Sequence, residues 1–324
     1  MMRLGRSLLP ALVASQLWAG TALADAVDQT EALSWLQRIA QAGRDLNYRG
    51  IFVYQHGDQA ETSRIVHLVD RGTELEKLET LDGPRREIIR TNTEIITFYA
   101  DKRLVKREKR SGRKLFPAML PEQLAALAEH YTLRKGGIDR IAGYEAQALI
   151  LDPRDQLRYG HRLWAEVQTG LLLKARMVNE HGQVLEQFHF TEVQINIPIP
   201  RDAVRPSFPM PPGDAAEMPD GGPGDTGWIV RSAPAGFKKI MEMKRSKRAG
   251  GAQVAHLVFS DGLAAVSVFI EPMPPGAQVP EGLSQQGAVN IYTRPMADQL
   301  VTVLGETPPA TVMQFANSVA PKGR

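Results

Sequence analysis

Alternating apolar and polar residues in the middle of the chain predict an antiparallel sheet. Between Tyr144 and Asn196, segments rich in β-branched, leucine and aromatic residues are separated by turn signals at Asp152-Pro153, Thr169-Gly170 and His181-Gly182. Some segments are apolar on both faces, as at 171–173, where three leucines follow one another. We therefore expect a sheet that is covered on more than one side, by helices, by a second domain or by an apolar ligand.

The residues before this stretch predict a helix followed by an up-and-down meander. An amphipathic pattern over Asp28–Ala42 predicts a helix that ends near Gly43. A second helix is predicted at Leu120–Tyr131. Turn formers separate five predicted strands, which are Tyr48–Gln55, Thr62–Val69, Glu74–Leu81, Arg86–Arg90 and Glu94–Tyr99.

A change of composition predicts a second, smaller domain. Residues 201–227 are rich in proline and glycine and predict a linker between residues 25–200 and residues 228–324. Thr307 is expected to cap a terminal helix that begins at Pro308. The strands expected here are Gly236–Arg245, Val254–Ser260, Leu263–Glu271, Ala288–Thr293 and Gln299–Gly305, with a hairpin across Asp261-Gly262.

These patterns predict an α+β protein. The N-terminal part is expected to form a large open, unclosed antiparallel β-barrel, and the C-terminal part a small α+β domain. The concave face of such a barrel could hold acyl chains, or the helices could simply fill it. The pattern alone leaves both alternatives open.

The first 24 residues predict a cleaved secretory signal. Arg3 and Arg6 precede an apolar run over Leu8–Trp18, and small residues suited to cleavage follow at Ala22 and Ala24. Without Arg3 and Arg6, the 39 basic residues fall to 37 against 36 acidic ones, a net charge near +1. The mature chain is therefore expected to be exported and nearly neutral. The absence of cysteine excludes disulfides and thiol catalysis.

No motif predicts an enzyme, a metal site or a cofactor site. His181 and His189 lie eight residues apart without helical ligand spacing, and His256, Ser260 and Asp261 are better explained by a strand and a turn than by a catalytic triad. The pattern G-x-G-x-x-G at Gly222–Gly227 lacks the strand and helix of a dinucleotide site. We therefore expect no catalytic residues, no metal and no cofactor.

The basic run at Lys102–Lys114 has two interpretations, which the sequence supports about equally. Its cations could contact an anionic lipid head group or an acidic partner, or they could protect the edge strand of an open sheet from pairing with other chains. Nucleic acid is the weakest partner, since no stacking motif is present. The candidate contact residues are Lys102, Arg103, Lys106, Arg107, Arg110, Arg113 and Lys114.

Several blocks of sequence resemble the RseB/MucB family of periplasmic regulators of the envelope-stress sigma-factor pathway. In the N-terminal part these are YRGIFVY at Tyr48–Tyr54, FPAMLPEQL at Phe116–Leu124 and the long stretch Arg140–Phe188. In the C-terminal part they are HLVFSDGLAAVSVFIE at His256–Glu271 and VTVLGETPPATVMQFANSV at Val301–Val319. The resemblance covers nearly the whole mature chain in the right order.

The resemblance implies a function that the residue patterns do not reach. It implies an N-terminal domain similar to LolA/LolB-type lipoprotein carriers, with helices across the mouth of the open barrel. It also implies a periplasmic negative regulator that binds the periplasmic segment of a membrane anti-sigma factor (MucA/RseA) and shields it from the site-1 protease. Lipopolysaccharide or a related lipid is expected to release that segment. The alternative is a lipid or lipoprotein carrier, and an open sheet edge makes a homodimer plausible.

Overall fold

The computed structural model describes residues 18–101, 104–109, 124–208, 216–217, 224–246, 253–274, 276–277 and 279–323. Helix α1 spans Trp18–Asp45 and helix α2 spans Leu127–His130, directly after a 3₁₀ turn at Leu124–Ala126. The strands of the first domain are β1 (Tyr48–His56), β2 (Gln59–Asp70), β3 (Thr73–Thr80), β4 (Arg86–Arg90), β5 (Glu94–Tyr99), β6 (Leu104–Lys109), β7 (Tyr131–Ile141), β8 (Tyr144–Pro153), β9 (Gly160–Glu166), β10 (Leu172–Val178) and β11 (Val184–Ile195).

These strands form one open antiparallel sheet. A two-residue strand, β12 (Ala216–Glu217), adds to β6 in parallel, and the order is β12-β6-β5-β4-β3-β2-β1-β11-β10-β9-β8-β7. The end strands β12 and β7 do not pair with each other among the described residues, so the barrel is not closed. The predicted open antiparallel sheet and its up-and-down order are confirmed.

Helix α1 covers the inner face of one half of the sheet. Ala32, Leu36 and Ile39 recur at helical spacing and are buried in the same apolar cluster as Leu133 of β7 and Leu149 of β8. Gly43 does not end the helix, which continues to Asp45 and also begins before the predicted Asp28. Asp28 accepts a hydrogen bond from the Lys135 amide, 2.9 Å away, and so holds α1 against the edge strand.

Strand β7 corrects the predicted second helix. Tyr131 is not the end of a helix but the first residue of an 11-residue strand, and α2 is only one turn long. Residues 120–123 of the predicted helix lie outside the described residues. The sequence pattern of β7 is weak because Gly136 and Gly137 interrupt the alternation at a bulge between Lys135 and Ile138.

The beginning of the predicted linker is packed on the outer face of the first sheet. A 3₁₀ turn spans Arg201–Val204, and the Ser207 amide donates to Glu87 over 2.8 Å. Glu87 is fully buried and forms an ion pair with Lys77 at 2.9 Å. Phe208 packs on an apolar cluster that includes Phe98. This segment is therefore part of the first domain's packing.

The second domain is a smaller sheet covered by one helix. Helix α3 (Pro309–Asn317) buries Val312, Phe315 and Ala316 against one face of that sheet. Its strands are β13 (Trp228–Val230), β14 (Lys238–Ser246), β15 (Gln253–Ser260), β16 (Ala265–Pro272), β17 (Gly282–Gln286), β18 (Val289–Met296), β19 (Gln299–Gly305) and β20 (Val319–Pro321). The sheet has the order β14-β15-β16-β19-β18-β17, and β13 pairs separately with β20.

The predicted hairpin of the second domain is confirmed, and the predicted cap is wrong. Ser260 pairs with Ala265, so a turn that contains Asp261-Gly262 joins β15 to β16. Helix α3 begins one residue later than predicted, after Pro308, and Thr307 does not cap it. Thr307 is instead fully buried, and its carbonyl oxygen accepts a hydrogen bond from Asn290 over 2.8 Å.

Replacing Gly50 with alanine should lower the free energy of unfolding by about 1–3 kcal/mol. A Cβ at this position of β1 would lie 2.5 Å from the Glu192 carbonyl oxygen and 2.9 Å from the Phe190 ring. Gly43→Ala is a control of opposite sign, because nothing lies within 4 Å of a Cβ there, and alanine should stabilise α1 by about 0.5–1 kcal/mol. Urea unfolding followed by circular dichroism measures both. Equal effects would contradict the close packing of β1 on β11.

Candidate functional site: the interface between the two domains

The two domains meet around a buried arginine. Arg158 lies in the loop between β8 and β9, and its Nη1 is 2.9 Å from Asp261 Oδ2 in the second domain. Neither side chain is exposed. Arg158 Nη2 also donates to the Ala235 carbonyl over 2.6 Å, and Nε donates to Asp155 over 3.1 Å. The guanidinium therefore links the first domain to two segments of the second.

The hairpin turn fixes Asp261 in the orientation that this pair requires. Asp261 Oδ1 accepts hydrogen bonds from the amides of Leu263 and Ala264 at 3.0 and 2.8 Å. Oδ2 is thereby directed at Arg158 and at the Tyr131 hydroxyl, which donates over 3.4 Å. Burial raises the pKa of Tyr131 well above its usual value and the Asp261 charge adds to this, so the tyrosine stays neutral.

Close backbone approach and further hydrogen bonds extend the contact. Asn290 donates to the Tyr159 hydroxyl over 3.0 Å, and the Thr311 hydroxyl donates to the Leu157 carbonyl over 2.6 Å. Gly236 has a φ of 85° and leaves no room for a side chain, since a Cβ there would lie 2.3 Å from the His130 ring. The interface is therefore closely packed as well as hydrogen-bonded.

A cleft beside this contact holds two carboxylates from different domains. Glu186 of β11 and Glu306 after β19 both line it, together with His161, Met177 and Leu263. Burial lowers the pKa of His161 to about 4, so its imidazole is neutral near pH 7. Burial raises the pKa of Glu186 to about 7, the Glu306 charge adds to the rise, and the Tyr54 hydroxyl, 2.5 Å from Oε1, opposes it.

The inner face of the first sheet is apolar in one half and ion-paired in the other. The half under α1 is lined by leucines, whereas the half formed by β2–β4 carries pairs between Arg90 and Glu76 and between Arg86 and Glu61. Tyr48 stacks on His67 there, with 5.0 Å between ring centroids. The inner face is therefore not a uniformly apolar pocket for acyl chains.

The structure describes only two of the predicted basic contact residues. Lys106 and Arg107 lie on opposite faces of β6, where Lys106 pairs with Glu108 at 2.8 Å and Arg107 with Glu94 at 3.4 Å. β12 pairs with β6 at these two positions. Their role in lipid or partner binding stays a prediction. The other candidates, which are Lys102, Arg103, Arg110, Arg113 and Lys114, lie outside the described residues.

The residues that could suggest catalysis are used for packing and turns. His256 stacks on Phe269 with 4.1 Å between ring centroids, and the Ser260 hydroxyl donates to the Ala264 carbonyl over 2.8 Å. Asp261 is committed to Arg158. In the described part of the chain, no group of three or more His, Cys, Asp or Glu could hold a metal ion, and no helix is long and apolar enough to cross a membrane.

Comparison with known proteins identifies the family. The family model of the MucB/RseB N-terminal domain matches residues 31–208, and that of the MucB/RseB C-terminal domain matches residues 223–320. The chain belongs to the MucB/RseB family. The residues that face each other where the domains meet are Arg158, Asp261, Glu186 and Glu306. Three of them lie in loops or turns and Glu186 lies on a strand, and the periodicity of the sequence gives no signal for a contact between domains.

The similarity to individual MucB/RseB proteins covers nearly the whole chain. The sigma factor AlgU regulatory protein MucB of Pseudomonas aeruginosa is 34% identical over 92% of this chain and 93% of its own length. The sigma-E factor regulatory protein RseB of Escherichia coli is 24% identical over 88% of this chain and 89% of its own length. A crystal structure of MucB in complex with MucA(peri) is 33% identical, with a TM-score of 0.72, and covers 90% of this chain and all of that one.

In this MucB/RseB protein, Arg158→Ala should destabilise the contact between the domains by about 3–5 kcal/mol, because Asp261 would keep a buried charge without its partner. Arg201→Ala is the control, since its pair with Asp70 is largely exposed and should contribute at most about 1 kcal/mol. Thermal unfolding and limited proteolysis between residues 209 and 227 measure the effect. Equal losses in the two variants would contradict a structural role for the buried pair.

Proposed function

We propose that this protein is a periplasmic, non-catalytic negative regulator of an extracytoplasmic stress sigma factor. It binds the periplasmic segment of a membrane anti-sigma factor and shields that segment from site-1 proteolysis. The observation that carries the proposal is the similarity over both domains to MucB, of which a crystal structure in complex with MucA(peri) is known. A lipid signal such as lipopolysaccharide releases the segment.

The fixed contact between the domains supports partner binding. Arg158, Asp261 and the Tyr159–Asn290 hydrogen bond hold the two sheets in one arrangement, so a segment that touches both domains meets a preorganised surface. Preorganisation lowers the entropy lost on binding and so increases affinity. A simple carrier would need only the first domain.

Release by lipid requires that lipid and the anti-sigma segment prefer different states of the protein. A ligand shifts an equilibrium only by the difference in its affinity for the two states, and the effect is reciprocal. The apolar half of the inner face, beneath α1, offers an acyl chain the surface it needs. Lipid bound there would move α1, which is tied to the edge strand through Asp28 and Lys135.

Isothermal titration calorimetry with a synthetic periplasmic segment of the anti-sigma factor tests the proposal directly. We expect saturable binding of one segment per chain and a loss of affinity of at least about tenfold when purified lipopolysaccharide is present, which corresponds to about 1.4 kcal/mol. Digestion of the segment by the site-1 protease should slow in proportion to the fraction bound. Absence of binding contradicts the function, and unchanged affinity with lipid contradicts the release mechanism alone.

Neutralising the basic run should weaken the lipid response more than the fold. The test variant combines three substitutions, Arg107→Gln, Arg110→Gln and Arg113→Gln. We expect the concentration of lipopolysaccharide needed for release to rise several-fold in this variant, because charge-assisted contacts to phosphates are lost. The control is a second triple variant, which removes three exposed cations from the second domain by the substitutions Arg231→Gln, Lys238→Gln and Lys244→Gln. A similar shift in the control, or a large loss of thermal stability with an unchanged lipid response, would contradict this role.

A lipid or lipoprotein carrier is the second candidate, and the apolar half of the inner face favours it. Native mass spectrometry of protein purified from the cell envelope separates the two functions. Stoichiometric acyl cargo, together with transfer to an acceptor membrane, would support the carrier. A cargo-free protein that binds the anti-sigma segment would support the regulator.

A further inference from the structure

Two carboxylates from different domains share the cleft beside Arg158. Glu186 lies on β11 of the first domain, and Glu306 follows β19 of the second. Glu186 Oε1 accepts the Tyr54 hydroxyl at 2.5 Å, whereas Oε2 is buried without a hydrogen-bond partner in the described part of the chain. Two like charges in one partly buried site cannot both ionise without a large cost.

Among the residues that the structure describes, no lysine or arginine forms an ion pair with Glu186. From β1, His56 is its cross-strand neighbour and packs against Gly287, and Tyr54 donates the hydrogen bond. From β10 the neighbour is Met177, and Arg176 lines the cleft with its Nε bound to Gln187. His161 of β9 is neutral near pH 7. The second domain adds Glu306, and Glu61 of β2 lies beyond Tyr54.

We propose that the contact between the domains is pH-sensitive, because it is complete only when the Glu186–Glu306 pair carries a proton. In acid the protonated pair allows the second domain to seal the cleft. As the pair loses its proton, repulsion and the need for water loosen this side of the interface. The Arg158–Asp261 pair remains as the fixed point about which the cleft opens.

The sign of the effect follows from the raised pKa of Glu186. The pKa is about 7 in the docked state and approaches the ordinary value when the cleft is open to water. Docking is therefore strongest below the ordinary glutamate pKa, weakens as the pH rises, and reaches its weakest level above pH 7. Each pH unit in this window changes the docking equilibrium by at most tenfold, which gives up to about 30-fold between pH 5.5 and pH 7.

Amide hydrogen exchange of the full chain in EDTA tests the proposal without any partner. Exchange of residues 175–177, 186–188 and 263–264, which line the cleft, is compared between the wild type and Glu306→Gln at the same pH, so that the intrinsic pH dependence of exchange cancels. The wild type should exchange faster than the variant by a factor that grows between pH 5.5 and pH 8, up to about 30-fold. Glu186→Gln should give the same trend.

Glu192→Gln is the matched control, because Glu192 is exposed on the same strand. Its ratio to the wild type should stay constant with pH. A constant ratio for Glu306→Gln, or the same trend in Glu192→Gln, would overturn the proposal. A carbon-detected NMR titration provides a second measurement, in which the Glu186 carboxyl should titrate near pH 7 in the wild type and at lower pH in Glu306→Gln. A Glu186 titration that is unchanged in the variant would equally overturn it.

Discussion

The buried ion pair between Arg158 and Asp261 determines how the two domains meet. Removing two charges from water costs several kcal/mol per ion, which only close geometry recovers. Arg158 achieves this with Asp155, Asp261 and the Ala235 carbonyl as acceptors and with the rings of Tyr131 and Phe237 at its face. Such a pair adds little net stability compared with apolar residues. It excludes other arrangements, however, because any displacement of one domain would leave a buried charge unpaired.

The cleft next to this pair has the opposite electrostatics. Arg158 and Asp261 compensate each other, whereas Glu186 and Glu306 repel. The end of the interface at Arg158–Asp261 is therefore fixed. Whether the end at the cleft is closed depends on a proton on the glutamate pair or on a molecule that enters the cleft. A regulator that must hold a partner and also release it needs an interface with a low cost of partial opening. An interface with uniform apolar packing would hold the domains together but would be costly to open in part.

The strands could be predicted from the sequence because their signals are local. Alternation and turn formers place β1 to β5 within three residues of their observed ends, and Asp261-Gly262 correctly places a hairpin. β7 cannot be predicted in this way, because Gly136 and Gly137 break its pattern and only pairing with β8 defines it. The same limit applies to the interface, since Arg158 and Asp261 are 103 residues apart and each looks like an ordinary turn residue. Tertiary contacts also explain Thr307, which is buried at the interface rather than capping α3.

The two halves of the inner face limit where an acyl chain could bind under the proposed release by lipid. An acyl chain gains about 25 cal/mol per Å² only where it replaces water on apolar surface. Covering the Arg90–Glu76 and Arg86–Glu61 pairs would add a desolvation cost. If lipid releases the segment as proposed, the lipid would have to bind the half under α1 and compete with Leu36 and Ile39 for that surface. Under this proposal, the effect of lipid on a segment bound elsewhere would pass through the movement of α1 and the sheet. It would then be a coupling between two sites and not a competition for the same contacts.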